Sequence, residues 1–168
     1  MKKIYFLLSA FSLLLFSNIQ AQNLELIMNE KKIIVEGTLI EKLKTTWQGE
    51  TVAYYWLYEA TNKKFIITSI TYDKDQIPTD VVKYYLNQAD IDFANIYILE
   101  EENEYFDYKK VQRLSILPFI TKKYSFKSER IGQYDEEITT KDENFCLLYL
   151  STKEIAQNLW DNMVSKTK

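Results

Sequence analysis

The first half of the chain alternates strand-like segments with turn-forming residues. The segments are rich in Ile, Val, Thr, Tyr and Trp and cover residues 24–28, 32–43, 51–59 and 64–72. Residues 48–50 and 61–63 are turn-forming, and the second of these turns is short enough for a hairpin loop. The pattern therefore predicts an antiparallel meander in this half of the chain.

A helix is expected to follow the meander. Pro78, Thr79 and Asp80 form a helix-start signal, with Thr79 as N-cap and Asp80 placed favourably for the helix dipole. The apolar residues behind this signal have helical spacing and would share one face. They are Val81, Val82, Tyr85, Leu86 and Ala89.

The carboxyl-terminal segment predicts a second helix. Ser151 and Glu154 have the spacing of a capping box, in which the Ser151 hydroxyl accepts from the Glu154 amide. One apolar stripe follows, and such a face must pack on a partner, for which the sheet of the same domain is the first choice and another protein the second. The stripe consists of Ile155, Ala156, Leu159, Trp160, Met163 and Val164.

Further strand-like segments lie between these two helices. They cover residues 94–100, 105–116, 119–127 and 145–150, with a weak strand at 134–139. The predicted fold class is α+β: an antiparallel sheet of about six to eight strands with two helices packed on one face. Strand order, and whether the sheet curves strongly enough to close into a barrel, stay open at this level.

Residues 1–21 have the order of segments found in a secretory signal peptide. Lys2 and Lys3 form a basic start, residues 4–16 are uncharged and mostly apolar, and Ala21 lies at the expected cleavage point. The apolar run is shorter than the roughly 20 residues that a spanning helix needs. We therefore expect export to the periplasm or the extracellular space, and a single mature domain over residues 22–168 with no integral membrane span.

Charge and residue usage exclude several classes of function. Loss of Lys2 and Lys3 with the signal segment changes the net charge from −3 to −5, which argues against a nucleic-acid partner. Histidine is absent, so Ser-His-Asp and Cys-His catalysis cannot be built and a zinc site is improbable. Cys146 is the only cysteine; we expect it in a buried strand, with an intermolecular disulfide or a reactive thiol as alternatives.

The densest polar cluster is the acidic run at residues 100–104, continued by Asp107. Calcium prefers several carboxylate and carbonyl oxygens, so a cation site is conceivable there, but the spacing matches no EF-hand loop. A solvated acidic hairpin tip is the favoured interpretation, with a surface for a basic partner as a third option. The short segment Asp73-Lys74-Asp75 is interpreted as a turn.

Aromatic residues are unusually frequent. Tyr54, Trp56 and Tyr58 alternate along one predicted strand, so their side chains should share a face, and Trp47 lies near a turn. Such a platform could stack on sugars or line an apolar cavity, but Tyr and Trp also favour the half-buried surfaces of ordinary sheets. The second interpretation is preferred.

These patterns favour an exported, non-catalytic binding domain that acts on a protein or a small-molecule ligand outside the cytoplasm. An immunity-type inhibitor of a toxin is one narrower alternative, and a carrier of an apolar small molecule is another. An enzyme that uses carboxylates, Tyr or Lys is a remote option. The sequence assigns no catalytic, cofactor-binding or metal-binding residue, predicts no cofactor, and leaves the binding residues unknown.

Overall fold

The fold is described by a computed structural model over residues 21–28, 30–47, 50–61, 63–102, 106–121, 123 and 125–167. The signal segment, except for Ala21, and the tip of the acidic run therefore lie outside the described residues. Ten strands and one α-helix make up the described chain, together with a short 3₁₀ helix at Gln88–Asp90. The elements are β1 (Ala21–Met28), β2 (Lys31–Trp47), β3 (Glu50–Thr61), β4 (Lys64–Tyr72), β5 (Pro78–Asn87), β6 (Tyr97–Glu102), β7 (Lys110–Ile116), β8 (Phe126–Gly132), β9 (Thr139–Glu143), β10 (Cys146–Leu150) and α1 (Lys153–Ser165).

Seven strands form a curled antiparallel sheet, a half-barrel, in the order β1-β2-β3-β4-β5-β8-β9. The first five strands follow chain order, so the predicted meander is confirmed and extends by one strand. A second antiparallel sheet of three strands has the order β10-β7-β6. The prediction of an antiparallel sheet of six to eight strands is thus confirmed for the larger sheet.

The predicted helix after Pro78 is wrong, because this segment is strand β5. It pairs with β4 on one side and β8 on the other, and both of its faces are covered. Val81 packs in one apolar cluster and Leu86 in another, on opposite faces of the sheet. A strand buried on both faces has apolar residues at neighbouring positions, which imitates the spacing of a helix. The described chain therefore has one α-helix rather than two.

Two later strands are displaced from their predicted positions. The strand expected at residues 119–127 begins only at Phe126, and the weak strand expected at 134–139 forms at Thr139–Glu143. Ile120 is fully exposed and Phe119 is partly so, which leaves this apolar pair in a loop. The strands near residues 105–116 and 145–150 are confirmed with shorter bounds, and the strand near 94–100 is confirmed but shifted to Tyr97–Glu102.

The larger of two apolar clusters lies between the seven-stranded sheet, the three-stranded sheet and α1. Phe65 is fully buried there, with its ring 5.7 Å from that of Tyr58 and 6.3 Å from that of Phe93. Phe93 in turn lies 5.6 Å from Trp160 of the helix. The predicted apolar stripe of α1 is confirmed, since Ala156, Leu159, Trp160 and Met163 are its buried residues. We call this cluster the larger core.

The smaller core lies on the opposite face of the same sheet. It is covered by what we call the arm, which is β1 together with residues 31–37 of β2. Leu26, Met28 and Val35 of the arm pack against Leu57, Ile70, Val81 and Ile131. The arm also reaches β5, where the Lys83 ammonium donates to the Ile34 carbonyl oxygen at 2.8 Å. The arm therefore folds the edge of the sheet back over its own face.

The helix starts one residue later than the sequence predicts. Thr152, rather than Ser151, is the N-cap, and its hydroxyl accepts from the Ile155 amide at 3.3 Å. Ser151 instead donates both its amide, at 2.8 Å, and its hydroxyl to the carboxylate of Glu41. The predicted capping box is wrong because the Ser151 hydroxyl hydrogen-bonds the Glu41 carboxylate of β2 and Thr152 caps the helix. The contact fixes the start of α1 against β2.

Within the described ranges, no helix is both long enough and apolar enough to cross a membrane.

Candidate functional site

A cleft of about 890 Å³ lies between α1 and the first three strands. Its strand wall comes from the start of β1, the middle of β2 and the end of β3, and its other wall comes from one face of the helix. The lining residues are Asn23, Glu36, Gly37, Thr38, Leu39, Ile40, Tyr58, Glu59, Ala60, Ile155, Asn158, Leu159, Asn162 and Lys166.

The cleft forms where β2 and β3 separate. Their pairing runs from Trp47 and Glu50 to Thr38 and Tyr58 and ends there. Residues 31–37 of β2 continue as the partner of β1 alone, while residues 59–61 of β3 continue as the partner of β4 alone. Two strand edges therefore face the cleft without a strand between them. We call this feature the split.

Two local irregularities of β2 lie beside the split. The pairing register shifts between Leu39 and Glu41, so a bulge at Ile40 lets Leu39 pack on the smaller core while Glu41 faces the start of α1. Gly37 has φ +146, and a Cβ there would lie 3.0 Å from the Tyr58 carbonyl oxygen. A side chain at this position would collide with β3 and adopt a disfavoured backbone conformation.

The edge of β2 at the split presents main-chain groups that have no strand partner among the described residues. The Ile34 carbonyl accepts from Lys83, so it is turned away from β1. Main-chain direction alternates along a strand, and Glu36 is therefore turned to the same side, toward the split. Thr38, in the same phase, uses its groups to pair with β3.

The edge of β3 also turns main-chain groups toward the split. Thr61 and Lys64 close a two-residue turn, and this closing pair exchanges hydrogen bonds across the hairpin. Ala60 is out of phase with Thr61, so its amide and carbonyl are turned away from β4 and toward the split. The main-chain groups of Glu36 and Ala60 thus line the same cleft from opposite edges.

The cleft is lined by both apolar and polar residues. Ile40, Ile155 and Leu159 line the cleft on the larger-core side, and Leu39 lines it on the smaller-core side. Asn158 and Asn162 are exposed along the helix. Glu36, Glu59 and Lys166 are the charged members. Neither carboxylate forms an ion pair with any described residue. Both are therefore available to a cationic group.

A smaller pocket of about 130 Å³ lies behind the two carboxylates, at the end of the smaller core. Lys83 and Tyr85 line it with Glu36 and Glu59. The Tyr85 hydroxyl donates to Glu129 at 2.6 Å, and burial, followed by this hydrogen bond, raises the pKa of Tyr85. Lys83 and Tyr85 are thus already engaged in contacts that hold the arm and β8.

The predicted aromatic platform belongs mainly to the core. Trp56 and Tyr58 are more than nine-tenths buried, and Tyr54 packs against the same cluster. The Tyr58 hydroxyl and the Trp56 indole nitrogen are buried with no hydrogen-bond partner among the described residues. Burial raises the pKa of Tyr58, so its hydroxyl stays protonated. The side chain of Trp47 lies outside the described residues.

The acidic run does not assemble into a cluster in its described part. Glu100 accepts from Lys110 and Gln112, while Glu101 forms an ion pair with Arg113 on the other face of β6. The Lys110 ammonium lowers the pKa of Glu100. Asp107 lies apart, near the hydroxyl of Thr46. In the part of the chain that the structure covers, no three Cys, Asp or Glu side chains are grouped so that they could hold a metal ion.

Two smaller expectations are confirmed. Cys146 is fully buried in β10, and this burial raises the pKa of its thiol. Asp73 forms a turn between β4 and β5, in which its carboxylate accepts from the amides of Asp75 and Ile77. Neither residue lies in the cleft.

Sequence reasoning did not identify the residues of the cleft. One signal was available: Gly37 interrupts a segment otherwise typical of a strand, and an internal glycine indicates a bulge or a close backbone approach. The helix wall could not be matched to this position, because its place against β2 depends on a contact between Ser151 and Glu41, far apart in sequence.

Comparison of the chain with protein-family models, with curated proteins and with solved structures gives no match.

Proposed function

We propose that this chain is an exported, non-catalytic binding domain and that it binds its ligand in the cleft between α1 and β1–β3. The cleft carries the proposal. Its volume of about 890 Å³ lies within the range of ligand pockets, roughly 300–1,000 Å³. A lining of apolar side chains with a few polar groups is also the usual composition of such sites.

Export is supported by the basic, apolar and small-residue order of residues 1–21. The non-catalytic assignment is supported by the absence of histidine from the sequence and by the burial of Cys146, whose thiol pKa is raised. The ligand would then be met in the periplasm or the extracellular space.

A carrier of an apolar small molecule is the second candidate, and one observation favours it. Ile40 of β2 and Ile155 and Leu159 of α1 line the cleft from its two walls, and all three pack on the larger-core side. A ligand with an apolar body would cover these side chains and remove them from water. The immunity-type inhibitor stays a prediction from the sequence.

Filling the cleft tests the proposal. Asn158 is exposed on the cleft face of α1, while Asp161 is exposed on the same helix outside the cleft lining. Asn158→Trp should place an indole in the cleft, and Asp161→Trp adds the same surface elsewhere. Wild type and both variants would be purified after export from the native host and compared by native mass spectrometry and by cross-linking in the envelope fraction.

We expect one bound ligand or cross-linked partner with wild type and with Asp161→Trp, and its loss with Asn158→Trp. Equal loading of the two variants would contradict binding in the cleft. Circular dichroism of both variants controls for unfolding. A small molecule carried through purification would favour the carrier, and a cross-linked protein would favour the interaction domain.

A further inference from the structure

We infer that the ligand of the cleft is an extended peptide segment of another exported protein, with apolar side chains and a basic residue, which pairs as a strand with the edges of the split. This inference rests on the proposed function and names its ligand class. The carrier of a small molecule is the competing outcome.

The unpaired main chain is the first argument. Glu36 and Ala60 each turn an amide and a carbonyl into the cleft, as the phases of β2 and β3 require. Lys83 already supplies a donor to Ile34, the equivalent group two residues earlier on the same edge. An open strand edge of this kind is a template for an added strand.

The helix wall is the second argument. A strand paired at the split would turn alternate side chains toward α1, where Ile155 and Leu159 line the cleft. Main-chain hydrogen bonds would supply affinity, and the apolar surface would select the side chains. A small apolar molecule would cover the helix wall but would leave the main-chain groups of both edges unused.

Charge is the third argument. The carboxylates of Glu36 and Glu59 lie at the two strand edges, and neither has an ion pair within the described chain. Lys83, which lines the smaller pocket with both of them, donates to the Ile34 carbonyl. Lys166 lines the cleft from the helix, opposite the edges where the peptide would lie. A lysine or arginine of the peptide would therefore find a partner at the edges.

Blocked synthetic peptides of alternating sequence test the inference. The probe is acetyl-Val-Lys-Val-Lys-Val-amide, and two matched controls carry either Glu in place of Lys or N-methyl groups on alternate amides. Binding to the purified exported protein would be measured by calorimetry, and amide hydrogen exchange by NMR would report the state of Glu36 and Ala60.

We expect saturable binding of the lysine probe, about tenfold weaker binding of the glutamate probe, and no saturable binding of the N-methylated one. The Glu36 and Ala60 amides should exchange more slowly in the complex. The double variant Glu36→Gln/Glu59→Gln should reduce the preference for lysine and leave main-chain pairing in place.

No binding of the lysine probe, equal binding of the N-methylated probe, or unchanged exchange at Glu36 and Ala60 would each overturn strand pairing. These results are distinguishable from a failure of the proposed function. If the native ligand is still lost in Asn158→Trp while the peptide results are negative, the cleft binds a ligand of another class. If Asn158→Trp retains the native ligand, the proposed function itself fails.

Discussion

The two faces of the seven-stranded sheet are covered in different ways. The face that carries Phe65 is covered by a separate layer, the three-stranded sheet and α1, and its cluster includes fully buried side chains from all of these elements. The face that carries Ile70 is covered by the arm, which belongs to the same sheet. One alternating sequence can therefore build two cores, provided that its edge folds back over one of them.

The difference also locates the cleft. The arm must leave β3 at Gly37 in order to cover the smaller core, while α1 begins beside Glu41 in order to cover the larger one. The cleft lies where these two covers meet at the same stretch of β2. A ligand bound there would therefore contact both the arm and α1. Fewer buried residues pack in the smaller core beneath the arm than in the larger core beneath α1.

The largest expected effect is the loss of unfolding free energy when a buried side chain is truncated, and it should differ between the two cores. Phe65→Ala removes a fully buried ring from the larger core and should cost about 3–5 kcal/mol of global unfolding free energy. Met28→Ala in the arm should cost about 2 kcal/mol, near the lower end for such a change, because the arm can partly collapse onto the sheet. Guanidinium unfolding measures both values.

Native-state hydrogen exchange then distinguishes global from local effects. Met28→Ala should raise exchange mainly in β1 and in residues 31–37, because the larger core stays closed. Phe65→Ala should raise exchange throughout both sheets. If the two variants raised amide exchange in the same regions, the separation into two cores would be contradicted.

The next effect concerns the point at which the arm leaves the sheet. Gly37→Ala should cost about 1–3 kcal/mol, because the new methyl group meets the main chain of Tyr58 and φ is +146. Gly132→Ala is the matched control. The nearest atoms to a Cβ there belong to the Asp135 carboxylate, a side chain that accepts from the Gly132 amide at 2.7 Å, and not to another strand's main chain. Because a side chain can shift more easily than a strand, the loss should be smaller. A Gly37→Ala variant as stable as the control would contradict the close approach of β2 and β3.

The sequence predicts the strand-rich first half well because its alternation, turns and β-branched residues agree with one another. Residues 64–72 form β4 with the predicted bounds. The terminal helix is equally well predicted, since its apolar stripe faces the larger core. For β4 the composition and the flanking turns are sufficient even though Phe65 and Ile70 bury its opposite faces, and for α1 a single apolar stripe is sufficient.

The sequence fails where tertiary pairing overrides the local pattern. Strand β5 is covered on both faces, so its run of apolar residues lacks the alternation typical of a strand. Ser151 is removed from its capping role by Glu41, a partner 110 positions away. The cleft depends on a bulge at Ile40 and on the packing of α1 beside this part of β2. No local sequence motif predicts either feature.

The smallest expected effect is a loss of folding stability at alkaline pH. Burial raises the pKa of Tyr84 from 10.0 to about 12 on the larger-core side of β5. The protonated hydroxyl is therefore favoured in the folded state. This contribution is fully present below pH 10 and is lost as the pH rises through about 12.

Tyr84→Phe should consequently lose less unfolding free energy than wild type between pH 10 and pH 12. We expect a difference of about 1 kcal/mol, after allowing for the solvent that reaches this partly buried ring. Urea unfolding across this pH range measures it. Parallel curves for the two proteins would contradict a buried, protonated Tyr84.

The split between β2 and β3 is the central claim, because the cleft and both proposals depend on it. Amide exchange by NMR in the free protein tests it most directly. We predict rapid exchange at Glu36 and Ala60 and slow exchange at Thr38 and Tyr58, the last pair before the strands separate. If Glu36 and Ala60 exchanged as slowly as Thr38 and Tyr58, the sheet would be closed at this point and the account would be wrong.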